Sequence, residues 1–460
     1  MSHTTRRDFL KTSTLAGMAG MGFWVGGCSA PAMRQWSPNE KLNVGGVGAG
    51  GKGRSDIRHA SSENIIAVCD VDDARAAETY QRFPKAKRYH DYRLMLEKEN
   101  LDAVTVSTPD HMHAPVAYMA MKMGKHVYVQ KPLTYTIHEA RVLRETAREM
   151  GVCTQMGNQG TGFDAFRESV EVVRSGVLGP VRQVHVWTNR PIWPQGMDVR
   201  RPKESSPVPD TLKWDLWLGV APERPYAREV YAPFSWRGWV DFGTGALGDM
   251  ACHTVNLPFM ALNLGYPTHA VAENTGFNGE TYPSACKIRF KFPARDGLPA
   301  VDLYWYDGGY KPPQELFGDR EIESTGSLLV GDKGTFFSPD DYGYGHHKGT
   351  KYELWPERDF EGFQAPAPTL PRVQGVKPDE EGLKHHVEWI NGCKGGPAPL
   401  SNFDYAGFLT ETMLLGNLAV RAGHPIDWDG PNMRVTNCQE AQKWVSREYR
   451  KGWDSLPSMA

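Results

Sequence analysis

Leu42-Asn43-Val44-Gly45-Gly46-Val47-Gly48-Ala49-Gly50-Gly51-Lys52-Gly53 is the stretch on which the fold turns. Leu42 to Val47 reads as a short apolar strand, and the six residues after it fit G-x-G-x-x-G at a strand-to-helix junction. Gly48 permits a tight turn, Gly50 lets the backbone approach a pyrophosphate, and Gly53 allows close helix–strand packing. Gly51 lies in the same cradle. The helix start behind the loop presents free N–H groups and a partial positive charge to phosphate. Glycine-rich turns are common, so the next strand carries the weight. Asn64 to Cys69 is an apolar run that ends in Asp70, 22 residues past Gly48, where an acid meets a ribose 2′-hydroxyl. Asp72 and Asp73 follow and would repel a 2′-phosphate, which favours NAD(H) over NADP(H). Arg75 is the nearby cation that softens this preference.

Strand and helix patterns alternate onward from Asp70. Helices are expected near Tyr92–Glu99, Pro115–Met123 and Ile137–Met150, and strands at Ala103–Ser107, Val127–Val129 and Cys153–Met156. Such alternation predicts a doubly wound parallel sheet over residues 37–157, a Rossmann domain in an α/β chain. From about Val181 the pattern changes to strands of alternating character, at Val184–Thr188, Val271–Asn274, Ala285–Phe292, Val301–Tyr306 and Ser327–Val330. Residues 158–460 are therefore expected to form an α+β domain with an open, largely antiparallel sheet. Its helices, at Glu381–Cys393, Tyr405–Ala422 and Cys438–Tyr449, return at the end to the Rossmann half.

Gln130-Lys131-Pro132 follows the strand Val127–Val129. A lone Lys-Pro is usually a turn, but this one stands at the carboxyl end of a parallel strand, where ligands bind. Gly245-Ala246-Leu247-Gly248-Asp249-Met250-Ala251-Cys252-His253 is the second marked stretch, and Asp249 and His253, four apart, share one face of a helix. An N-capping Asp and a packed His would explain the pair structurally. A metal site is not expected, because no third ligand is spaced to join them.

With the glycine loop, these two motifs resemble the Gfo/Idh/MocA oxidoreductases over residues 40 to 450, and in particular the exported glucose–fructose oxidoreductase type. The resemblance implies that Lys131 lies beside the nicotinamide as acid/base, that Asp249 and His253 contact substrate hydroxyls, and that His253 is the general base. It also implies cofactor contacts from Gln130, from Thr108 and His113 in Ser107-Thr108-Pro109-Asp110-His111-Met112-His113, and from Asn158. His111 and His113 equally fit a helix cap. A lysine near the positive nicotinamide has its ammonium form disfavoured, which suits proton transfer. Two departures from the family pattern stand out: Gln130 replaces a glutamate that could pair with Lys131, and Asn256 replaces an acid after the histidine. Gly331-Asp332-Lys333-Gly334 resembles a structural turn of the family's second sheet, and His346-His347 in a Gly/Tyr loop reads as a solvated pair.

The loops of the second half carry Trp193, Trp214, Trp217, Trp236, Trp239, Trp305, Tyr306 and Tyr310. Aromatic faces beside Arg190, Arg237 and Asp241 are what a sugar site needs. Ser235-Trp236-Arg237-Gly238-Trp239 precedes the Asp249/His253 helix, so Arg190, Trp193, Trp236 and Arg237 are the expected substrate contacts.

Near its start the chain carries Thr5-Arg6-Arg7-Asp8-Phe9-Leu10-Lys11, a twin-arginine export signal, followed by a short glycine-rich apolar stretch, Ser13 to Gly27. Val25-Gly26-Gly27-Cys28 resembles a lipoprotein cleavage box with a lipid anchor at Cys28; cleavage near Ala30-Pro31-Ala32 is the alternative. Residues 1–36 are thus set apart as signal and linker, and a periplasmic location is expected, with the chain exported folded by the twin-arginine machinery. About 430 residues remain, enough for two or three domains. The net charge is −2, and removing a leader with three basic groups and one acid leaves −4, with no basic stripe for nucleic acid. Beyond Cys28, six scattered cysteines lack any C-x-x-C pair, and a chain folded in the cytoplasm needs no bridges, so free thiols are expected. The family resemblance implies a homodimer or homotetramer.

Three functions fit. The first is a sugar or glycoside dehydrogenase with tightly held NAD, recycled in place by a second substrate because the periplasm has no expected dinucleotide pool. The second is an NAD-dependent glycoside-cleaving enzyme working by oxidation, elimination and re-reduction; the glycosidase branch carries a different segment in place of Lys131-Pro132. The third is a catalytically silent sugar-binding lipoprotein, supported only by Gln130.

Overall fold

The computed structural model describes residues 40–340, 351–453 and 456–457. The export signal, the Cys28 box, the Ala30–Ala32 alternative and His346-His347 lie outside these residues.

The first sheet contains six parallel strands. They are β1 (Asn43–Val47), β2 (Asn64–Cys69), β3 (Lys87–Tyr89), β4 (Ala103–Val106), β5 (His126–Val129) and β6 (Thr154–Met156), in the order β3-β2-β1-β4-β5-β6. The order reverses beside β1, which places the glycine loop and the ends of β4 and β5 around one crevice. Between the strands run α1 (Lys52–His59), α2 (Asp73–Arg82), α3 (Tyr92–Lys98), α4 (His113–Lys122) and α5 (Ile137–Met150). Thr136 and Glu139 form a capping box at the start of α5, and Gly151 ends it in the left-handed region. Gly53 explains why α1 can begin so close to β1: a Cβ there would sit 1.8 Å from the Gly48 carbonyl oxygen.

After α6 (Asp164–Arg174) the chain enters a nine-stranded sheet of order β13-β12-β11-β7-β10-β9-β8-β14-β15. Its strands are β7 (Val181–Trp187), β8 (His269–Asn274), β9 (Cys286–Phe292), β10 (Val301–Tyr306), β11 (Gly326–Gly331), β12 (Thr335–Ser338), β13 (Glu353–Trp355), β14 (Ile426–Asp429) and β15 (Arg434–Val435). Only β7 and β10 pair in parallel; every other pair is antiparallel. Gly331-Asp332-Lys333-Gly334 makes the β11–β12 connection. Between β7 and β8 run α7 (Trp214–Leu218), α8 (Gly245–Thr254) and α9 (Asn256–Ala261), and α10 (Lys384–Cys393) and α11 (Phe403–Ala422) follow β13. The six cysteines are free thiols, all buried except the half-buried Cys438.

The helix expected over Cys438–Tyr449 is only a 3-10 turn, Gln439–Trp444. The Val445 carbonyl, which a continuing helix would need, instead accepts from the His138 amide in the first turn of α5 at 3.0 Å. The tail does return to the Rossmann half: Tyr449 donates its hydroxyl to Glu139 at 2.8 Å, and Trp453 lies under the Arg93 guanidinium.

The two halves share a buried ion pair. Arg141 on α5 donates from Nε and Nη2 to the two carboxylate oxygens of Glu411 on α11, at 3.0 and 2.8 Å. Arg144 Nη1 stands 3.6 Å away, and all three side chains are buried. Removing one partner leaves buried charge uncompensated. Glu411→Ala is expected to cost about 3–5 kcal/mol in denaturant unfolding; a loss below about 1 kcal/mol would show that the pair does not join the halves.

Candidate active site

The ends of β1, β2, β4 and β5 open on a cavity of about 620 Å³, a size suited to small ligands. One end is lined by Gly48, Gly50, Gly51, Lys52, Asp70, Asp72 and Arg75, the other by Thr108, Asp110, Gln130, Lys131, Arg237 and His253. The glycines have no Cβ to obstruct a ligand, and Gly48 and Gly51 hold positive φ. The cradle thus fits a pyrophosphate, with Lys52 beside it.

Asp70 closes that end. One carboxylate oxygen accepts from the Ala49 and Gly50 amides at 2.6 and 3.1 Å, and the other from the Asp72 amide at 2.9 Å. Burial pushes the Asp70 carboxyl up against these three donors. Asp72 caps α2 by accepting from Ala74 N at 3.0 Å, and Asp73 faces the His90 ring at 3.0 Å. Asp70 therefore clasps the glycine loop as well as lining the ribose end.

At the other end the reacting groups converge. Lys131 follows β5, whereas Asp249 and His253 share one face of α8. Lys131 Nζ donates to the Asp249 carboxylate and to its backbone carbonyl, each at 2.7 Å. Arg237 Nε donates to the same carboxylate oxygen at 3.1 Å, and its guanidinium lies 4.3 Å from the Trp236 ring centroid and 4.5 Å from that of Phe234. Burial pushes the Asp249 carboxyl up, but Lys131 and Arg237 outweigh it and hold it at about 2. Burial first, and then the Lys131 charge, drive the His253 imidazole well below its usual range, so it stands neutral. The cluster is net positive, which suits oxygen acquiring negative charge.

Asp110 was in the quoted 107–113 stretch without an assigned role, and it lines this end of the cavity. Thr244, just before α8, donates its hydroxyl to Asp110 at 2.6 Å. Gly248 makes room for that threonine, since a Cβ there would lie 2.0 Å from Thr244 Oγ1. Burial raises the Asp110 carboxyl to about 7 against the opposing pull of Thr244, Lys131 and Arg237. Its place directly after Pro109 at the end of β4 was the available sequence signal.

Several expected contacts are absent from this lining, Asp249 among them, whose carboxylate is taken by Lys131 and Arg237. His113 is buried with its ring nitrogens 2.8 Å from the Pro132 and Thr108 carbonyls, so it braces two loops. His111 sits likewise between the Phe242 and Trp217 carbonyls. Asn158 is buried, and its side-chain oxygen accepts from Ser401. Asn256 donates to Thr161 Oγ1 at 2.9 Å and accepts from the Tyr405 hydroxyl at 2.6 Å, so this departure lies in packing. Gly53 acts beneath the loop. Arg190 and Trp193 line no part of the cavity: Arg190 turns to Asn189, and buried Trp193 donates to Gln195 at 2.7 Å.

Of the eight loop aromatics, only Trp217 and Trp236 line the cavity. Trp214, Trp217, Trp236 and Trp239 belong to a separate aromatic cluster under residues 199–242, and Trp305 and Tyr306 are buried on β10. Tyr310 is exposed.

A protonated buried carboxyl has a thermal signature. Folded Asp110 keeps its proton to about pH 7, whereas an unfolded Asp loses it near 4, so this group's contribution to stability falls as pH rises through that window. Asp110→Asn keeps an acceptor for Thr244 and removes the titration. The variant's melting temperature, relative to the parent, is expected to be higher at about pH 8 than at about pH 5. An equal difference at both would remove Asp110 as a titrating group.

Residues 42–158 match the family described as "Oxidoreductase family, NAD-binding Rossmann fold", and residues 165–265 match its C-terminal alpha/beta domain. A glycosyl hydrolase family 109 protein from Solibacter usitatus is 31% identical over 195 residues, 39% of this chain and 44% of its own length. The α-N-acetylgalactosaminidase of Shewanella oneidensis is 33% identical over 180 residues, 36% of this chain and 38% of its own. The chain thus matches less than half the length of these relatives. The WlbA dehydrogenase from Bordetella pertussis, solved with NADH and UDP-GlcNAcA, has a TM-score of 0.57 at 16% identity, over 85% of this chain and 99% of that one. An inositol dehydrogenase homolog from Azotobacter vinelandii, solved with NADH and myo-inositol, has a TM-score of 0.55 at 15% identity, over 85% and 98%. With its glycine cradle, paired domains and matched segments, the chain belongs to the Gfo/Idh/MocA oxidoreductase family.

Proposed function

We propose that the protein oxidises a secondary hydroxyl of a sugar or glycoside using NAD that stays bound and is reduced and reoxidised in place. The carrying observation is that Lys131, Arg237 and His253 line one end of the cavity whose other end is the glycine cradle, with Lys131 and Arg237 both held by the Asp249 carboxylate. Bound NAD supplies a hydride acceptor there. Lys131 spends two of its three N–H bonds on Asp249 and has one for the reacting oxygen. The neutral His253 offers a nitrogen to take the hydroxyl proton as hydride leaves the same carbon. The positive cluster stabilises the oxygen meanwhile, and Trp236 supplies an apolar wall for the ring. Asp70 and Asp72 at the ribose end favour NAD over NADP. The leader at Thr5–Lys11 supports export to the periplasm, with Cys28 as a lipid anchor, and the resemblance supports a homodimer or homotetramer.

A second reading, glycoside cleavage through a transient ketone, is favoured by the names of the curated relatives. Both readings regenerate NAD without a soluble pool; a stable keto-sugar marks the first and a released aglycone the second.

The exported mature protein is expected to release close to one NAD(H) per chain on denaturation. Lys131→Met should keep that nucleotide and sugar affinity while turnover falls by about 100-fold or more. An empty parent protein would reject the retained-cofactor reading, and an active Lys131→Met would remove Lys131 from the chemistry.

A further inference from the structure

Beneath the cavity, between its two ends, lies a carboxylate that the chemistry above does not use. Asp56, in the second turn of α1, is completely buried. One of its oxygens accepts from the Ser107 hydroxyl at the end of β4 and from the Gln130 amide at the end of β5, both at 2.8 Å. The other accepts from Lys52 one turn earlier on α1 and stands 3.3 Å from His386 Nε2 on α10. Four segments therefore converge on one side chain. Two of the partners matter directly to the site: Lys52 lines the phosphate end of the cavity, and Gln130 precedes Lys131.

We infer that Asp56 is a positioning residue that ties the glycine-loop end of the site to the Lys131 end, and that residue 130 is glutamine because Asp56 already supplies the carboxylate at that spot. The chemistry of the pair requires it. An ionised glutamate has no donor, and at 2.8 Å it would set a second negative charge against a carboxylate with no water around it. Two acids so placed cannot both ionise, and one must keep its proton. The glutamine amide donates instead. Residue 130 is buried, and its amide is packed on Gly157, where a Cβ would lie 2.6 Å from Nε2 and leave it no room. The charged and titratable groups around Asp56 are Lys52 on its own helix, His386 on α10 and, beyond His386, the edge-packed His59. Burial works against ionisation of Asp56, but Lys52 and His386 outweigh it and keep the carboxyl well below its ordinary range. Gln130 thus donates to an acid that α1 already places at the strand end, while Lys131 takes its own acid partner from Asp249.

The inference rests on the oxidoreductase reading for the meaning of Lys131, and the test separates the two. NAD content and NAD affinity, followed by tryptophan fluorescence, are measured on the exported protein as the parent, Gln130→Glu, Asp56→Asn and the double variant Asp56→Asn/Gln130→Glu. Gln130→Glu is expected to bind NAD about tenfold more weakly than the parent at about pH 8 and to approach the parent towards about pH 5.5, where one acid of the pair takes up a proton. The double variant moves the charge to residue 130 beside a neutral amide and should restore binding to within about threefold and remove the pH dependence. Should Gln130→Glu fail to fold, a folded, NAD-binding double variant is the supporting result. Unchanged binding in Gln130→Glu at about pH 8, or a double variant no better than its parts, would overturn the inference. A parent protein that binds no NAD at either pH would instead overturn the oxidoreductase reading.

Discussion

The hydrogen bonds from Lys131 to Asp249 are the constraint on which the site depends. They join the end of a parallel strand to a helix 118 residues later, so neither domain holds a complete reaction centre alone. Each side of the contact is separately braced. The His113 ring is wedged between the Pro132 and Thr108 carbonyls, and Arg237 donates to the same Asp249 oxygen as Lys131 while packed against Trp236 and Phe234. The ion pair of Arg141 with Glu411 and the seating of Tyr449 on Glu139 keep the two halves in register behind it. A shift of an ångström at either brace would part Lys131 from its acceptors, which is why a catalytic pair drawn from two domains needs so much buried polar support.

Electrostatically the site separates into regions of opposite character within one cavity. The ribose end is acidic through Asp70 and Asp72, the floor between is the anionic Asp56 with Lys52 above it, and the reacting end is net positive. Burial and the Lys131 charge keep His253 neutral against the opposing pull of Asp249, whose carboxylate is held by two cations. Gln130 acquires its meaning in the same accounting. Viewed alone it is a lost acid; viewed with Asp56 it is the donor that lets a single negative charge serve Ser107, Lys52 and the strand end together.

Local pattern carried the first sheet and the two catalytic motifs far, because parallel strands, the glycine turn and the i, i+4 pair are written within short stretches. β3, β12, β13, β14 and β15 are pieces of two to four residues, too short for any periodicity to register. The Cys438–Tyr449 helix failed for a different reason: its Val445 carbonyl goes to α5, a competitor that only the tertiary fold supplies. Composition likewise could not sort the tryptophans. An aromatic on a loop reads as a sugar platform, yet residues 199–242 are long enough to build their own core, and most of those rings fill it. Asp56 is not legible in the sequence, because nothing in its neighbours marks an acid as buried, and Asp110 is marked only by its place after β4.

That aromatic core also bears on how a cofactor could be kept through export. Its segment is fastened across the adenosine side of the crevice by backbone bonds: the Asp73 amide donates to the Thr211 carbonyl at 3.0 Å and the Lys213 amide to the Val71 carbonyl at 2.8 Å. Further along, the Arg450 amide donates to the Val220 carbonyl and its guanidinium to Gly219, which pins the same segment to the chain's C-terminal tail. Leu212, Trp217 and Trp453 then wall the cavity from the side away from the sheet. A dinucleotide laid along the glycine loop would lie under a strap held at both ends by bonds it does not itself make. Release would require the strap to part from the β2–α2 junction or from the tail, breaking paired backbone groups and opening a packed aromatic cluster at once. A bound dinucleotide would then leave slowly, which is what the proposed export of a loaded enzyme needs.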